Sequence, residues 1–244
     1  MTAAGMIRLG WETEQVAVVT IDRPERRNAL DVDACLDLAA ATTEAVAAGA
    51  RSLLLRGAGG HFCSGADLAT VDNPAFTPAL QLALQGLAVA PLLVVAAVEG
   101  ACMGGGVQLA LAADVRVVAP DARISVPAAR LGLAVDGWTA RRLLTAVGSG
   151  EAAALLLAAA EIDGARAHAV GLAQRLGTPA DALAWAVEAA ALAPLTVQAH
   201  KLALASAEDD PAAEDARGAA WRSADLREGR AAFAERRPPR FTGR

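Results

Sequence analysis

The chain has 244 residues, of which 55% are hydrophobic and 20% charged, which is enough apolar sequence for a core and excludes disordered and fibrous classes. The formal net charge of −5 argues against nucleic acid as a general partner, because nucleic-acid binding favours a basic face. The longest apolar run, residues 87–98, is too short to span a bilayer, and residues 1–10 show no signal-peptide pattern. The three cysteines form no CxxC pair and the three histidines have no metal-ligand spacing. We therefore expect a cytoplasmic protein without a metal site.

Strands and helices alternate through the first 120 residues. The residue patterns predict strands at 7–11, 15–21, 52–56, 92–98 and 115–118, and helices at 32–48, 78–90 and from the second glycine loop to 112. Asp31 is the expected N-cap of the first helix. This alternation is typical of α/β proteins, whereas the chain from Trp138 onward has a nearly continuous helical pattern. We predict an α/β core in residues 1–190 and a helical oligomerisation region in residues 191–244.

Two glycine-rich loops are the most informative feature of the sequence. Residues 57–67 and 100–106 each follow a buried strand and contain several glycines, and the second loop opens a helix. Backbone N–H groups are unpaired at such places, and the helix dipole adds positive potential. Neither loop matches a P-loop or a dinucleotide-binding fingerprint. Two converging loops predict a site for a carbonyl oxygen or an anion; the simpler alternative is that the glycines only turn the chain.

Several motifs, in this order and spacing, closely resemble the crotonase (enoyl-CoA hydratase/isomerase) superfamily. They are Asp-Arg-Pro at 22–24, Asn-Ala-Leu at 28–30, Phe-Cys-Ser-Gly-Ala-Asp-Leu at 62–68, Gly-Gly-Gly at 104–106, Leu-Ala at 109–110, Ala-Asp at 113–114, Arg-Glu-Gly at 227–229 and Phe-Ala-Glu-Arg-Arg at 233–237. The resemblance extends from about Val16 to the tail. It implies a spiral of ββα units with a helical C-terminal trimerisation region, assembled as a homotrimer or a dimer of trimers. It also implies an acyl-CoA substrate, with coenzyme A as part of the substrate and no separate cofactor.

The resemblance also implies roles for individual residues. The backbone N–H groups of Ala66 and Gly105 correspond to the oxyanion hole that stabilises a thioester enolate. Two such donors contribute on the order of 3 kcal/mol each, because they need no reorganisation when charge develops on the oxygen. Other positions that the resemblance places along the substrate are Ser64, Asp67, Gly104, Gln108, Ala128, Arg26, Arg27 and Arg236. The three arginines correspond to segments that contact coenzyme A, although each has an equal claim to be a solvated surface residue.

The chain departs from the hydratases of this superfamily at both catalytic positions. Hydratases of this kind have one glutamate three residues after the oxyanion glycine and a second one twenty residues further, after a proline. Here these positions are Gln108 and Ala128, and neither side chain exchanges a proton usefully at neutral pH. A two-glutamate hydration mechanism is therefore excluded.

One acid remains in the corresponding stretch, Asp136, eight residues after Ala128. The resemblance places the catalytic acid of some enoyl-CoA isomerases, dienoyl-CoA isomerases and dehalogenases here. An isomerase needs only one base, because the proton removed from one carbon is returned to another. The apolar residues around Asp136 are expected to raise the pKa of its carboxyl group. The alternative is that Asp136 caps a helix that begins near Gly137, and both roles are compatible.

Three functions from different classes remain open. The leading hypothesis is acyl-CoA isomerisation with Asp136 as the proton shuttle. The second retains the oxyanion hole but performs hydrolysis, or hydration with a water held by Gln108. The third is an acyl-CoA-binding subunit without catalytic activity. Cys63, Ser64 and Cys102 lie in the two loops, and we expect them to be small buried residues rather than nucleophiles.

Overall fold

The computed structural model describes residues 6–205 and 210–244, so the expectation drawn from residues 1–10 lies partly outside the described residues. The strands are β1 (Ile7–Thr13), β2 (Val16–Ile21), β3 (Ser52–Gly57), β4 (Leu93–Val98), β5 (Ala101–Met103), β6 (Val115–Val118), β7 (Arg123–Ser125), β8 (Glu161–Asp163) and β9 (Arg175–Leu176). The helices are α1 (Val32–Ala47), α2 (Phe76–Val89), α3 (Gly105–Ala112), α4 (Gly137–Leu157), α5 (Gly164–Ala169), α6 (Pro179–Ala190), α7 (Pro194–Ala205), α8 (Pro211–Arg222) and α9 (Ala224–Glu235). Short 3-10 helices lie at Pro24–Arg26 and Pro127–Arg130.

The strands form two sheets. The larger has the order β1-β2-β3-β4-β6-β9, in which only the β1–β2 pair is antiparallel. The smaller has the order β5-β7-β8, with β5 and β7 parallel and β7 and β8 antiparallel. The predicted α/β alternation through β6 and the N-cap at Asp31 are confirmed, the Asp31 carboxylate accepting a hydrogen bond from Ala34 N. The strands β5, β7, β8 and β9 were not predicted, because strands of two or three residues are too short for an alternating pattern.

Both faces of the parallel sheet are covered. Successive side chains of a strand point to opposite faces, so Leu53 and Leu55 join the larger apolar cluster whereas Leu54 joins the smaller one. The helices α1, α2 and α3 contribute to the larger cluster, and α6 covers the opposite face with Ala182 and Ala186. The strand β4 is apolar along its whole length and β3 is apolar at its three central leucines, because both faces of these strands are buried there.

The helix α7 is attached to this core through Lys201. Its Nζ donates hydrogen bonds to Asp114 Oδ2 (2.9 Å), Leu92 O (3.0 Å) and Leu87 O (3.1 Å). In the part of the chain that the structure describes, no single helix is long and apolar enough to cross a membrane. Only α6 and α7 together, bent by 111°, meet that criterion of length and composition.

Candidate active site

The two glycine-rich loops lie side by side at the carboxyl ends of neighbouring parallel strands. Cys63 N donates a hydrogen bond to Ala101 O (3.0 Å), and Met103 N donates one to Cys63 O (2.9 Å). The first loop is also paired with the segment before α1, because Leu30 N donates to Gly65 O (2.8 Å) and Asp67 N to Leu30 O (2.7 Å). Ligands of open α/β sheets bind beyond the carboxyl ends of the strands, so this edge is the expected position for a site.

The backbone nitrogens of Ala66 and Gly105 lie close together where the two loops meet. A Cβ atom built on Gly105 lies 3.5 Å from Ala66 N, and one built on Gly65 lies 3.3 Å from Gly105 N. Among the hydrogen bonds of residues 6–205 and 210–244, none is donated by either of these two N–H groups. Gly105 is the first residue of α3, where an N–H has no intrahelical acceptor and the helix dipole is positive. The arrangement therefore provides two unpaired donors for one oxygen atom.

Gly104 sets the direction of the second donor. It precedes α3 with φ +48° and ψ −108°, a backbone conformation that favours glycine. Its N–H donates to Ser125 O (2.9 Å), and its carbonyl accepts the first hydrogen bond of the helix from Gln108 N (3.1 Å). This turn fixes the peptide that carries the Gly105 N–H.

One helical turn after Gly105, the side chain of Gln108 joins a polar cluster with Asp136 and Thr139. Gln108 Nε2 donates to Asp136 Oδ2 (3.0 Å) and to Thr139 Oγ1 (2.8 Å). Asp136 Oδ1 accepts from Thr139 N (2.9 Å), and Asp136 Oδ2 accepts from Thr139 Oγ1 (2.8 Å). The structure thus brings together Gln108 and Asp136, which are separated by 28 positions in the sequence.

Asp136 is the N-cap of α4, as one of the two sequence interpretations predicted. Burial alone would raise the pKa of its carboxyl group, but the hydrogen bonds from Thr139 outweigh burial and lower the pKa below its ordinary value. The expectation of a raised pKa was therefore wrong. The sequence showed the apolar neighbours but not the hydrogen bonds to the carboxylate, and these decide the direction of the shift.

We expect Asp136→Ala to lower the free energy of unfolding by about 1–2 kcal/mol, the usual effect of removing an N-cap. Because the folded-state pKa lies below the unfolded-state value, the carboxylate stabilises the fold above the unfolded pKa, and this contribution is lost as the pH falls through the folded pKa. Urea unfolding of the wild type and of Asp136→Ala should therefore give a difference in the free energy of unfolding that is constant from about pH 8 to pH 5. A difference that shrinks between pH 7 and pH 6 would show that the carboxyl group titrates near neutrality.

The nucleophilic side chains of the loops are engaged elsewhere. Cys63 and Cys102 are buried and form no disulfide, and Cys63 Sγ accepts a hydrogen bond from Gly65 N (3.4 Å). Burial raises the pKa of the Cys63 thiol to about 12 and also raises the pKa of Cys102, so neither is a thiolate at neutral pH. Ser64 Oγ donates to Arg26 O (3.1 Å), and His61 Nδ1 accepts from Ala101 N (3.0 Å). The expectation of small buried residues is confirmed for Cys63 and Cys102 but was wrong for Ser64, which is only half-buried.

Comparison with known proteins decides the family. The sequence model described as "Enoyl-CoA hydratase/isomerase" matches residues 12–244. The chain belongs to the enoyl-CoA hydratase/isomerase family. A relative named probable enoyl-CoA hydratase from Mycobacterium tuberculosis is 42% identical over 240 residues, covering 95% of this chain and 98% of the relative.

Solved structures agree with this family membership. The enoyl-CoA hydratase/carnithine racemase from Magnetospirillum magneticum has a TM-score of 0.90 at 30% identity, covering 99% of this chain and 97% of the other. The enoyl-CoA hydratase from Mycobacterium tuberculosis has a TM-score of 0.84 at 31% identity, covering 98% and 100%. The resemblance to the crotonase superfamily and the predicted fold class are confirmed.

Within this enoyl-CoA hydratase/isomerase fold, Ala128 occupies the second position at which the resemblance implies a hydratase glutamate. It lies in the 3-10 helix Pro127–Arg130, is partly buried and packs against the core. Its carbonyl accepts hydrogen bonds from Leu131 N (3.0 Å) and Leu133 N (3.0 Å). Its methyl side chain supplies no acid or base.

The arginines that correspond to coenzyme A contacts in the enoyl-CoA hydratase/isomerase family are exposed. Arg26 and Arg27 lie where the first 3-10 helix ends, and Arg27 has φ +50°. Arg236 ends α9 with φ +53°. No side-chain hydrogen bond or ion pair within residues 6–205 and 210–244 involves these three guanidinium groups. Their availability is compatible with phosphate binding, and the assignment remains a prediction.

Arg23 belongs to the Asp-Arg-Pro motif at 22–24, but the motif alone assigns it no role. Its guanidinium forms ion pairs with Asp67 Oδ2 (3.0 Å) and Asp31 Oδ2 (3.1 Å), and only 17% of its side chain is exposed. Asp67, predicted to lie along the substrate, directs its carboxylate to Arg23 and to Ala69 N (3.1 Å). No sequence pattern distinguishes this partly buried arginine from its exposed neighbours Arg26 and Arg27.

Proposed function

We propose that the protein binds an acyl-CoA thioester with the carbonyl oxygen between Ala66 N–H and Gly105 N–H, and that Asp136 is the single acid/base of an isomerase-type proton transfer. The two unpaired donors that lie close together where the loops meet carry this proposal. The 3.0 Å contact between Gln108 and Asp136 supports the role of Asp136 as the acid/base. It places this carboxylate beside the helical turn that follows Gly105. Coenzyme A enters as part of the substrate.

The chemistry requires one proton to move between two carbons. The Asp136 carboxylate takes the α-proton of a 3-enoyl thioester, and the C–H electron pair forms a double bond between the α-carbon and the carbonyl carbon. The carbonyl π pair moves onto the oxygen, which gives a dienolate that the two N–H groups stabilise. The protonated Asp136 then returns the proton to the γ-carbon, which leaves a 2-enoyl thioester. Because its lowered pKa makes Asp136 a weak base, we expect slow turnover.

Asp136→Asn is expected to reduce proton exchange from a 3-enoyl-CoA by at least about 100-fold, the lower range of a general-base contribution. Exchange at the α- and γ-carbons is measured in deuterated water by NMR, and acyl-CoA affinity is measured in parallel. Asparagine also caps helices well, so the fold and the affinity should change little. The matched control is Asp163→Asn, since Asp163 caps α5 at the surface in the same way. Unchanged exchange in the Asp136→Asn variant would contradict the assignment of the base.

A second candidate function is acyl-CoA binding without turnover. It is favoured by the hydrogen bonds that hold the Asp136 carboxylate, since protonating that carboxylate means giving up some of them. The exchange experiment separates the candidates, because a binding protein takes up the thioester tightly and exchanges no proton even in the wild type.

Hydration and hydrolysis are tested with acyl-CoA thioesters as well, with 2-enoyl-CoA as the substrate for hydration. The relatives named hydratases favour an assay of 2-enoyl-CoA hydration. We expect a low rate, because Gln108 and Ala128 replace the two glutamates that the resemblance implies. The raised pKa of Cys63, about 12, argues against a thiol-dependent hydrolase.

We further propose a homotrimer or dimer of trimers in the cytoplasm. The helices α7, α8 and α9 enclose a groove of about 570 Å³, and α8 and α9 expose Trp221 (66%) and Phe233 (88%). Large exposed aromatic side chains beside an apolar groove favour contact with another subunit. The buried cysteines, which form no disulfide, support a reducing compartment. Light scattering of the purified protein tests the assembly.

A further inference from the structure

The side chain of Arg23 joins two chain segments. One is the end of the first glycine-rich loop, which carries the Ala66 N–H, and the other is the segment before α1, which is paired with it. Its Nη2 contacts Asp67 Oδ2 at 3.0 Å, whereas its Nη1 contacts Asp31 Oδ2 at 3.1 Å and donates to Ala29 O at 3.2 Å. Separate nitrogens of one rigid guanidinium therefore hold the segment before α1 and the segment after the hole. A lysine, with a single ammonium group, offers no equivalent fork.

These contacts flank the backbone pairing that fixes Ala66. Leu30 N donates to Gly65 O and Leu30 O accepts from Asp67 N, so the peptide that bears the Ala66 N–H lies between two hydrogen bonds to one residue. Arg23 binds the residues on both sides of Leu30 and the residue after Ala66. The direction of the Ala66 N–H is therefore coupled to the position of this guanidinium.

The backbone of Arg23 is held in place by two hydrogen bonds with Asn28. Arg23 N donates to Asn28 Oδ1 (2.9 Å), and Asn28 N donates to Arg23 O (2.9 Å). Asn28 is fully buried, and its Nδ2 donates to Ala58 O (2.8 Å) and His61 O (2.6 Å) in the first glycine loop. The start of the first loop and its end at Asp67 are thus tied to the same arginine.

We propose that Arg23 is a positioning residue that aims the Ala66 N–H at the thioester oxygen, with Asp67 as its contact on the loop. The proposal rests on the proposed function of the hole. Arg23 differs from Arg26 and Arg27, because its guanidinium forms ion pairs with Asp31 and Asp67, whose side chains are only 19% and 9% exposed, besides a longer contact with the exposed Glu25 (3.9 Å). Loss of the Arg23–Asp67 pair should therefore weaken recognition of the thioester carbonyl, while coenzyme A recognition remains.

The test compares binding of 2,4-hexadienoyl-CoA with binding of free coenzyme A. The conjugated thioester absorbs at longer wavelength when its carbonyl oxygen accepts strong hydrogen bonds, so the red shift on binding reports the hole. For Asp67→Asn we expect most of the red shift to disappear and the thioester affinity to fall about 10-fold or more, with coenzyme A affinity changed less than about twofold. The tenfold loss corresponds to about 1.4 kcal/mol or more of binding free energy, lost for the thioester and not for coenzyme A. Arg23→Lys, which retains the charge but not the fork, should lie between this variant and the wild type.

The control is Arg217→Gln, which removes an exposed ion pair with Glu214 (2.7 Å) within α8 and should alter the affinity for neither ligand. A full red shift in both Asp67→Asn and Arg23→Lys would overturn the role of Arg23, as would an equal loss of affinity for both ligands. If the wild type binds the thioester without any red shift, the proposed function of the hole fails instead. The two failures are therefore distinguishable.

Discussion

Gly65→Ala is expected to reduce the rate of proton exchange from bound acyl-CoA by about 100- to 1000-fold. This is the usual effect of losing one oxyanion-hole donor. Gly65 has φ +99°, and an added Cβ lies 2.8 Å from Met103 O and 3.3 Å from Gly105 N. Both neighbours are backbone atoms, so the two loops must move apart to accept the methyl group. The distance between Ala66 N–H and Gly105 N–H then no longer suits one oxygen.

The matched control for this prediction is Gly49→Ala. Gly49 has φ +89°, but an added Cβ has no neighbour within 4 Å. Both variants carry the cost of a left-handed alanine, about 1 kcal/mol or more, and only Gly65→Ala disturbs the loops. Thermal unfolding gives the stability of each variant, and deuterium exchange gives its activity. Equal activity of the two variants would mean that the hole does not act on the substrate.

Lys201→Met is expected to lower the free energy of unfolding by about 3–5 kcal/mol, because it leaves the Asp114 carboxylate buried without its cation. The 2.9 Å pair is only 11% and 19% exposed. Burial raises the pKa of Asp114 and lowers the pKa of Lys201, so desolvation outweighs the attraction in both groups. The fall in melting temperature should be roughly 10 °C for a chain of this size.

A second substitution separates the unpaired charge from the lost packing. Asparagine at position 114 can still accept the hydrogen bond that Val94 N donates at 2.8 Å, but it carries no charge. The double variant Lys201→Met with Asp114→Asn should therefore recover a large part of the stability lost in Lys201→Met. Arg217→Met, which breaks an exposed pair with Glu214 (2.7 Å), serves as the surface control and should change stability by less than about 1 kcal/mol. A double variant no more stable than Lys201→Met would contradict this explanation.

The convergence of the two glycine-rich loops was the part of the candidate site that the sequence predicted best. Gly65 and Gly104 sit in two loops with the same order of strand and glycine, and both have positive φ. Loops that follow neighbouring parallel strands must meet at one edge of the sheet, so local motifs were enough to predict their convergence.

The environment of Asp136 was not predictable in the same way. The cap could be inferred from an aspartate placed just before a helical segment, but the approach of Gln108 depends on how α3 packs beside α4. The hydrogen bonds from Thr139, which lower the pKa of the carboxyl group, are likewise not visible in the sequence pattern. Arg23 illustrates the same limit, because its burial follows from the pairing of Leu30 with the first loop and not from its neighbours in the sequence.

The most direct test of the central claim is the infrared spectrum of the thioester carbonyl of a saturated acyl-CoA bound to the wild-type protein. Labelling the carbonyl with carbon-13 isolates its stretching band from the protein background. If Ala66 N–H and Gly105 N–H bind this oxygen, the band of the bound ligand lies at lower frequency than in water, and Gly65→Ala removes the shift. A tightly bound acyl-CoA whose carbonyl band stays at its frequency in water would contradict the account.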